Sequence, residues 1–144
     1  MYETPVREVM ARSRMLTAPP ETTVIEASRL MARRKSGAVL VVADGKLVGI
    51  FTERDVVFRV VAAGLDAGTT PLSDVMTKAP ITIAPDRPFG QALAVMQRNG
   101  FRHLPVLEGE RPVGIVSARS ALDPDLEDFV AEERRRARFQ GARG

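Results

Sequence analysis

At 144 residues and 44% hydrophobic, the chain can bury one respectable core, enough for a single domain or two small halves sharing one and too little for a catalytic domain plus a regulator. It has no cysteine, which excludes a disulfide framework or thiolate site, and its longest aliphatic run, Ala38 to Ala43, is far too short to span a bilayer. The 21 basic and 18 acidic residues are well mixed and leave a net charge of +3, which argues against a dedicated polyanion-binding surface and leaves room for a small local anion site.

The first segment, MYETPVREVM, has no apolar signal region, so the expected location is cytoplasmic. Within it VREVM, Val6 to Met10, matches LSDVM, Leu72 to Met76, at an offset of 66. From Pro20 onward the offset is 65, pairing Pro20 with Pro85, Ala27 with Ala92, Met31 with Met96, Val41 with Val106, Gly49 with Gly114 and Arg54 with Arg119. One register held this far predicts two copies, residues 6–63 and 72–122, joined by a breaker-rich linker over 64–71.

Each copy begins with a short extended piece, Met15 to Ala18 and Ile81 to Ala84, that ends at proline and leads into a helix. In the first helix Thr23 and Glu26 have capping-box spacing, with Ala27, Leu30 and Met31 on one face; Phe89, Ala92, Leu93 and Met96 repeat that face in the second. AVLVVADGKLVGIF follows, two apolar strands around Asp44-Gly45, a dipeptide suited to the positive φ of a tight hairpin, and HLPVLEGERPVGIV is its counterpart. Thr52 then opens a second helix, DVVFRVVAA, which stops at Gly64. The tail, 123–144, reads as a further helix, with Asp123 as cap, Pro124 in the first turn, Leu126, Phe129 and Val130 as a short apolar stripe, and arginines late. Each copy is thus β-α-β-β-α with strands too apolar to face water. Together they predict a mixed α/β fold whose two sheets pack face to face with helices outside.

The doubled order of proline, helix, HLPV, hairpin and GI(F/V)(T/S)xxD resembles a tandem pair of cystathionine-beta-synthase (CBS) domains, a Bateman module, over about residues 6 to 122. The resemblance implies a regulatory module that binds adenosine-containing ligands (AMP, ADP, ATP, NAD or S-adenosylmethionine) in clefts between the repeats. It also implies pairing into disc-shaped homodimers, as in small stand-alone members of the family.

GIFTERD carries two readings. Thr52 and Asp55 have the spacing of a helix start, Thr52 capping the free backbone donors and Asp55 answering in the first turn. A helix N-terminus at a cleft is also an anion site, and a carboxylate accepts from both hydroxyls of a ribose. In the matched family this Asp takes the ribose with the hydroxyl residue beside it. The family further places Arg54 and Arg119 toward ligand phosphates, and Arg102 and His103 likewise, where the first repeat has only Gly37 and Ala38. One composite site follows: Thr52 and Asp55 for ribose, Arg119, Arg102 and His103 reaching across for phosphate, and Leu16, Thr17, Val39 and Ile50 around adenine. Thr82, Leu104, Pro105, Ile115 and Ser117 form the second cleft, but there Ser120 replaces the carboxylate. Since a hydrogen bond to a charged group outweighs a neutral one, Ser120 weakens ribose capture by about one to two orders of magnitude.

Catalysis is not expected. With one His, no Cys, no metal-ligand cluster and no Gly-rich phosphate loop, neither a triad nor metal chemistry has its parts, and no catalytic cofactor is implied. The leading expectation is a noncatalytic adenosine-ligand sensor acting in trans on a protein target; the alternative is a ligand-free structural or interaction module. ERRRAR in the tail is set among acidic residues, which argues against nucleic acid.

Overall fold

The computed structural model describes residues 2–11, 14–121 and 132–138, without the side chains of Ser120 and Ala121. In the first repeat the chain runs through α1 (Val6–Val9), β1 (Thr17–Ala18), α2 (Val24–Arg34), β2 (Ala38–Ala43), β3 (Lys46–Thr52) and α3 (Glu53–Asp55), which continues as a π-helical segment, Val56–Val61. The second runs through α4 (Leu72–Val75), β4 (Thr77–Lys78), α5 (Phe89–Asn99), β5 (His103–Glu108) and β6 (Arg111–Ser117), ending in a 3-10 turn, Ala118–Ala121.

The hairpins form as their turn residues demand. Asp44 and Gly45 adopt φ of 52° and 76°, giving the two positive values that twist β2 back onto β3, while Gly109 at 64° opens the equivalent turn between β5 and β6. Thr23 caps α2 by accepting from the Glu26 N–H at 3.3 Å, and Gly100 closes α5 at φ 70°. Both extended pieces are shorter than expected. Only Thr17–Ala18 pairs in the first, and in the second Ile83 alone bridges Val106. The helix after Thr52 also differs, since its valine-rich run leaves the α-helix for i+5 bonding, as in Ala62 N–H to Val57 O at 2.9 Å. β-branched side chains crowd the tighter α turn. The start of the tail helix lies outside the described residues; 132–138 is helical, with exposed Arg135 and Arg136 paired to Glu132 and Glu133.

The largest departure from the repeat pattern is a crossing of the leader segments. α1 packs on the second repeat: Val6 is fully buried with Phe89, Met96 and Leu104, and its N–H donates to Arg87 O at 2.8 Å. α4 packs on the first, where Leu72 and Val75 join Val24, Met31 and Phe51, and Leu72 N–H donates to Thr22 O at 2.8 Å. Accordingly β4 extends the first sheet, ordered β1-β2-β3-β4, and Ala11 bridges Ile115 on the second. A third apolar cluster of Ala38, Leu40, Ile50 and Ile115 joins the two sheets.

Candidate functional site

At the end of β3, Thr52 keeps extended backbone and turns the chain into α3. Its Oγ1 accepts from the Asp55 N–H at 3.4 Å, while Asp55 Oδ2 accepts from the Thr52 N–H at 2.8 Å and from the Thr52 hydroxyl at 3.2 Å. This reciprocal cap satisfies backbone donors that an isolated helix start leaves free. Asp55 is 9% exposed, the one buried charged residue among the described residues. Its other oxygen, Oδ1, lies 3.5 Å from Nε of Arg59, whose Nη1 donates to Val75 O at 3.1 Å. A carboxylate offers about four lone-pair directions, so Oδ1, facing one long ion pair, has capacity for a further donor. Arg59 was legible as an i,i+4 partner of Asp55, though the motif alone does not point to it.

Strand alternation sorts the adenine candidates. Val39 pairs with Phe51 in register, and both point into the first core with Leu16. Leu104 does the same in the second, opposite Val116. The side chains of Leu16, Val39 and Leu104 are therefore committed to their own cores, and they meet a ligand only through backbone. Ile50 and Ile115 point to the seam between sheets, with Leu40 and Ala38, which the motif reading missed. Period two counted back from Thr52 finds them: Ile50 shares its face, and the cross-strand partners of Thr52 and Ile50 are Ala38 and Leu40. Thr17 is exposed, and in the second cleft Thr82 is half-buried, Pro105 is buried opposite Ile115, and Ser117 stands opposite His103. The Ser120 side chain lies outside the described residues.

Of the basic candidates from the second repeat, His103 is the one shown beside the Thr52–Asp55 turn. A Cβ placed on Gly37 would stand 3.0 Å from Glu53 Oε1 and 3.4 Å from His103 Cε1, so a second-repeat imidazole flanks the first-repeat helix start. Glu53 N–H donates to Gly37 O at 3.0 Å, fixing that arrangement. Burial pushes the His103 pKa below its ordinary value; Glu53 pulls it up and Arg102 adds to the lowering. Arg54 turns outward, its guanidinium 5.1 Å from the centre of the Phe58 ring. Arg119 is exposed on the 3-10 turn. Arg102 lines a shallow cavity of ≈460 Å³ with Leu93, Met96, Phe101 and Ala118, on the α5 side of the second repeat and apart from Asp55. Among the described residues no cluster of His, Asp and Glu could hold a metal ion, and no helix is long and apolar enough to cross a membrane.

Two copies of one βαββ plan, with crossed leaders and a capped carboxylate at the seam, define a tandem regulatory module. The family model for the CBS domain matches residues 6–62 and 72–125, and the chain belongs to that family as a CBS-domain pair. The CBS domain-containing protein YhcV of Bacillus subtilis is 35% identical over 112 residues, 78% of this chain and 79% of YhcV. A conserved protein from Pyrococcus horikoshii has a crystal structure that superposes with a TM-score of 0.79 at 32% identity, covering 85% of this chain and 92% of that one. The CBS domain pair of protein MJ0100, solved with 5-methylthioadenosine and S-adenosyl-L-methionine, gives 0.74 at 25% identity, covering 82% and 96%. The chain spans about a fifth of the length of longer relatives in Schizosaccharomyces pombe and Arabidopsis thaliana.

Proposed function

We propose that the chain is a noncatalytic, cytoplasmic sensor that binds an adenosine-containing small molecule (AMP, ADP, ATP, NAD or S-adenosylmethionine) at the Thr52–Asp55 turn and signals in trans to a protein target as a homodimer. The observation that carries this is a buried carboxylate with acceptor capacity left on Oδ1, set at a helix start and flanked by a histidine from the other repeat. Ribose hydroxyls donating to Oδ1 replace the long Arg59 contact, and a negatively charged group beyond the ribose finds His103. The adenosine ligands of the MJ0100 pair support the class. Arg59 also holds Val75 O, so a ligand that displaces it loosens the crossed leader α4, which gives binding a structural consequence. Any such switch needs different ligand affinity in the two states.

A second reading, a ligand-free interaction module, is favoured by one observation: Asp55 is already engaged on both oxygens and the seam residues Leu40, Ile50 and Ile115 are closely packed. Calorimetric titration with AMP, ADP, ATP, NAD, S-adenosylmethionine and 5-methylthioadenosine separates the two. Saturable binding by one of them, weakened in Asp55→Asn, supports the sensor. No heat at millimolar ligand establishes the interaction module instead.

A further inference from the structure

With no cysteine in the chain, its methionine thioethers are the sulfur groups open to oxidation. Among the described residues Met10, Met31 and Met96 are buried, at 9%, 6% and 3% exposed, whereas Met15 and Met76 are half-buried. Met76 sits at a structural joint. Its N–H closes α4 by donating to Leu72 O at 2.8 Å, and the next two residues, Thr77 and Lys78, pair with Ile50 and Gly49 of β3. Its sulfur lies directly against Gly49: a Cβ placed there would overlap Met76 Sδ and stand 2.9 Å from Met76 Cγ and 3.0 Å from the Thr77 carbonyl. One residue earlier, Val75 O accepts from Arg59 Nη1 at 3.1 Å.

We infer that Met76 is an oxidation site, and that its sulfoxide unseats the α4–β4 joint from β3. The oxidant is a peroxide. A sulfur lone pair attacks one peroxide oxygen, the S–O bond forms as the O–O bond breaks, and the second oxygen leaves as water; sulfur loses two electrons and the peroxide gains them. A reductase that converts two thiols to a disulfide removes the oxygen again as water. The new oxygen is a strong acceptor, and the polar atom shown at the Gly49 contact, the Thr77 carbonyl, is an acceptor too and gives it no hydrogen bond. An unpaired polar group is costly inside, so the oxidised side chain turns to the water that its half-buried position already reaches. β4 has only two paired residues to resist this, and Leu72, fully buried, keeps the start of α4 in place. Met10 is the internal control: its sulfur also presses on a strand glycine, Gly114, but its burial shields it from the oxidant. None of this needs a ligand at Asp55.

Hydrogen peroxide added to the full chain tests this, with peptide mass spectrometry for the site and amide hydrogen exchange for the consequence. Met76 is expected to take up oxygen at least about tenfold faster than Met10. The amides of 76–79, which include the Met76 N–H and the Ala79 N–H bonded to Val48 O, are expected to exchange at least about tenfold faster after oxidation, while those of Phe89 and Leu104 in the second repeat keep their protection. Met76→Leu keeps the size and removes the sulfur, so its exchange at 76–79 is expected not to respond to peroxide. Met76→Gln carries a polar oxygen there without any oxidant and is expected to exchange fast from the start. Oxidation of Met10 or Met31 ahead of Met76 overturns the inference, as does a Met76 sulfoxide with unchanged exchange at 76–79. The same rise in Met76→Leu assigns the effect to another methionine, and a rise spread equally over the second repeat is general unfolding; either one overturns it as well.

Discussion

The ends of the two hairpins start from one plan and finish differently. After β3, a threonine and a buried carboxylate clamp an α-helical start that runs on through Val61; after β6, the corresponding residues Ala118–Ala121 take 3-10 form, and the residues that follow lie outside those described. The strands before them match residue for residue, Leu40 opposite Ile50 and Pro105 opposite Ile115, with the register slip at the same position in each, after Val41 and after Val106. The sequence puts Ser120 where the first repeat has the capping carboxylate of Asp55. A neutral hydroxyl at the position of a buried, doubly accepting carboxylate is the contrast to test.

The sharpest way to break the comparison is at Asp55. Asp55→Ala removes the cap and the acceptor at once. It is expected to cost about 0.5–2 kcal/mol in stability and to weaken the adenosine ligand about ten- to a hundredfold, measured by chemical denaturation and calorimetry. Asp55→Asn separates the two roles, because an amide oxygen still accepts from the Thr52 N–H but brings no charge to the ribose. Stability near wild type with binding weakened by up to about the same factor is the expected result; unchanged affinity in Asp55→Asn places the ligand elsewhere.

The crossed leaders set a second contrast, at the paired glycines. A Cβ on Gly49 runs into Met76 Sδ and stands 3.0 Å from the Thr77 carbonyl, whereas on Gly114 its three nearest atoms all belong to the flexible Met10 side chain, the closest at 2.6 Å. Overpacking of this kind costs about 1–3 kcal/mol. Gly49→Ala is expected to lose more than Gly114→Ala in denaturant midpoint, since backbone cannot step aside as a methionine can. Equal losses would mean that the two leaders press on their strands alike.

These glycines also show where sequence reading stops. The Asp44-Gly45 turn, the Thr23 cap and the Thr52–Asp55 box were all legible, because each depends on neighbours within a few positions, and the repeat register was legible because one offset holds along the chain. The resemblance to CBS pairs rests on the same local motifs taken twice. The leader crossing was not legible: VREVM and LSDVM look like the first segments of their own repeats, and an apolar turn fits either core equally well. The close approach of Met76 to Gly49 and Met10 to Gly114, with the β3–β4 pairing and the Ala11–Ile115 bridge, reveals which strand each one covers. The site was half legible for a related reason. Motif position identified Thr52 and Asp55, but it could not tell that Val39 and Leu104 face inward while Ala38 and Leu40 face the seam. Nor did it announce that the valine run after Asp55 would take π-helical form.

Restoring symmetry is the milder test of the same contrast. Ser120→Asp supplies the second cleft with the missing carboxylate and is expected to strengthen ribose capture there by about tenfold or more, read as a second binding event or increased stoichiometry. An unchanged isotherm would trace the inequality of the clefts to something other than this residue.

The smallest expected effect belongs to His103, which the first repeat replaces with Ala38. Burial, reinforced by Arg102 and opposed by Glu53, lowers its pKa in the folded chain. The unfolded chain therefore binds a proton first as pH falls. The contribution is complete above the ordinary value of 6.5, declines as pH drops below it, and levels off beneath the folded value. Wild type should lose more thermal stability than His103→Gln between pH 7.5 and 5.5. Ligands invert the sign, because a phosphate favours the imidazolium and raises the His103 pKa, so acidification strengthens a phosphate-bearing ligand by about a few-fold. A nucleotide phosphate sheds charge near pH 6 in the opposite direction, so the measured quantity is the difference between wild type and His103→Gln with the same nucleotide. 5-Methylthioadenosine, which has ribose and adenine without phosphate, should show no such difference. If it does, His103 senses the closing of the seam and not the phosphate.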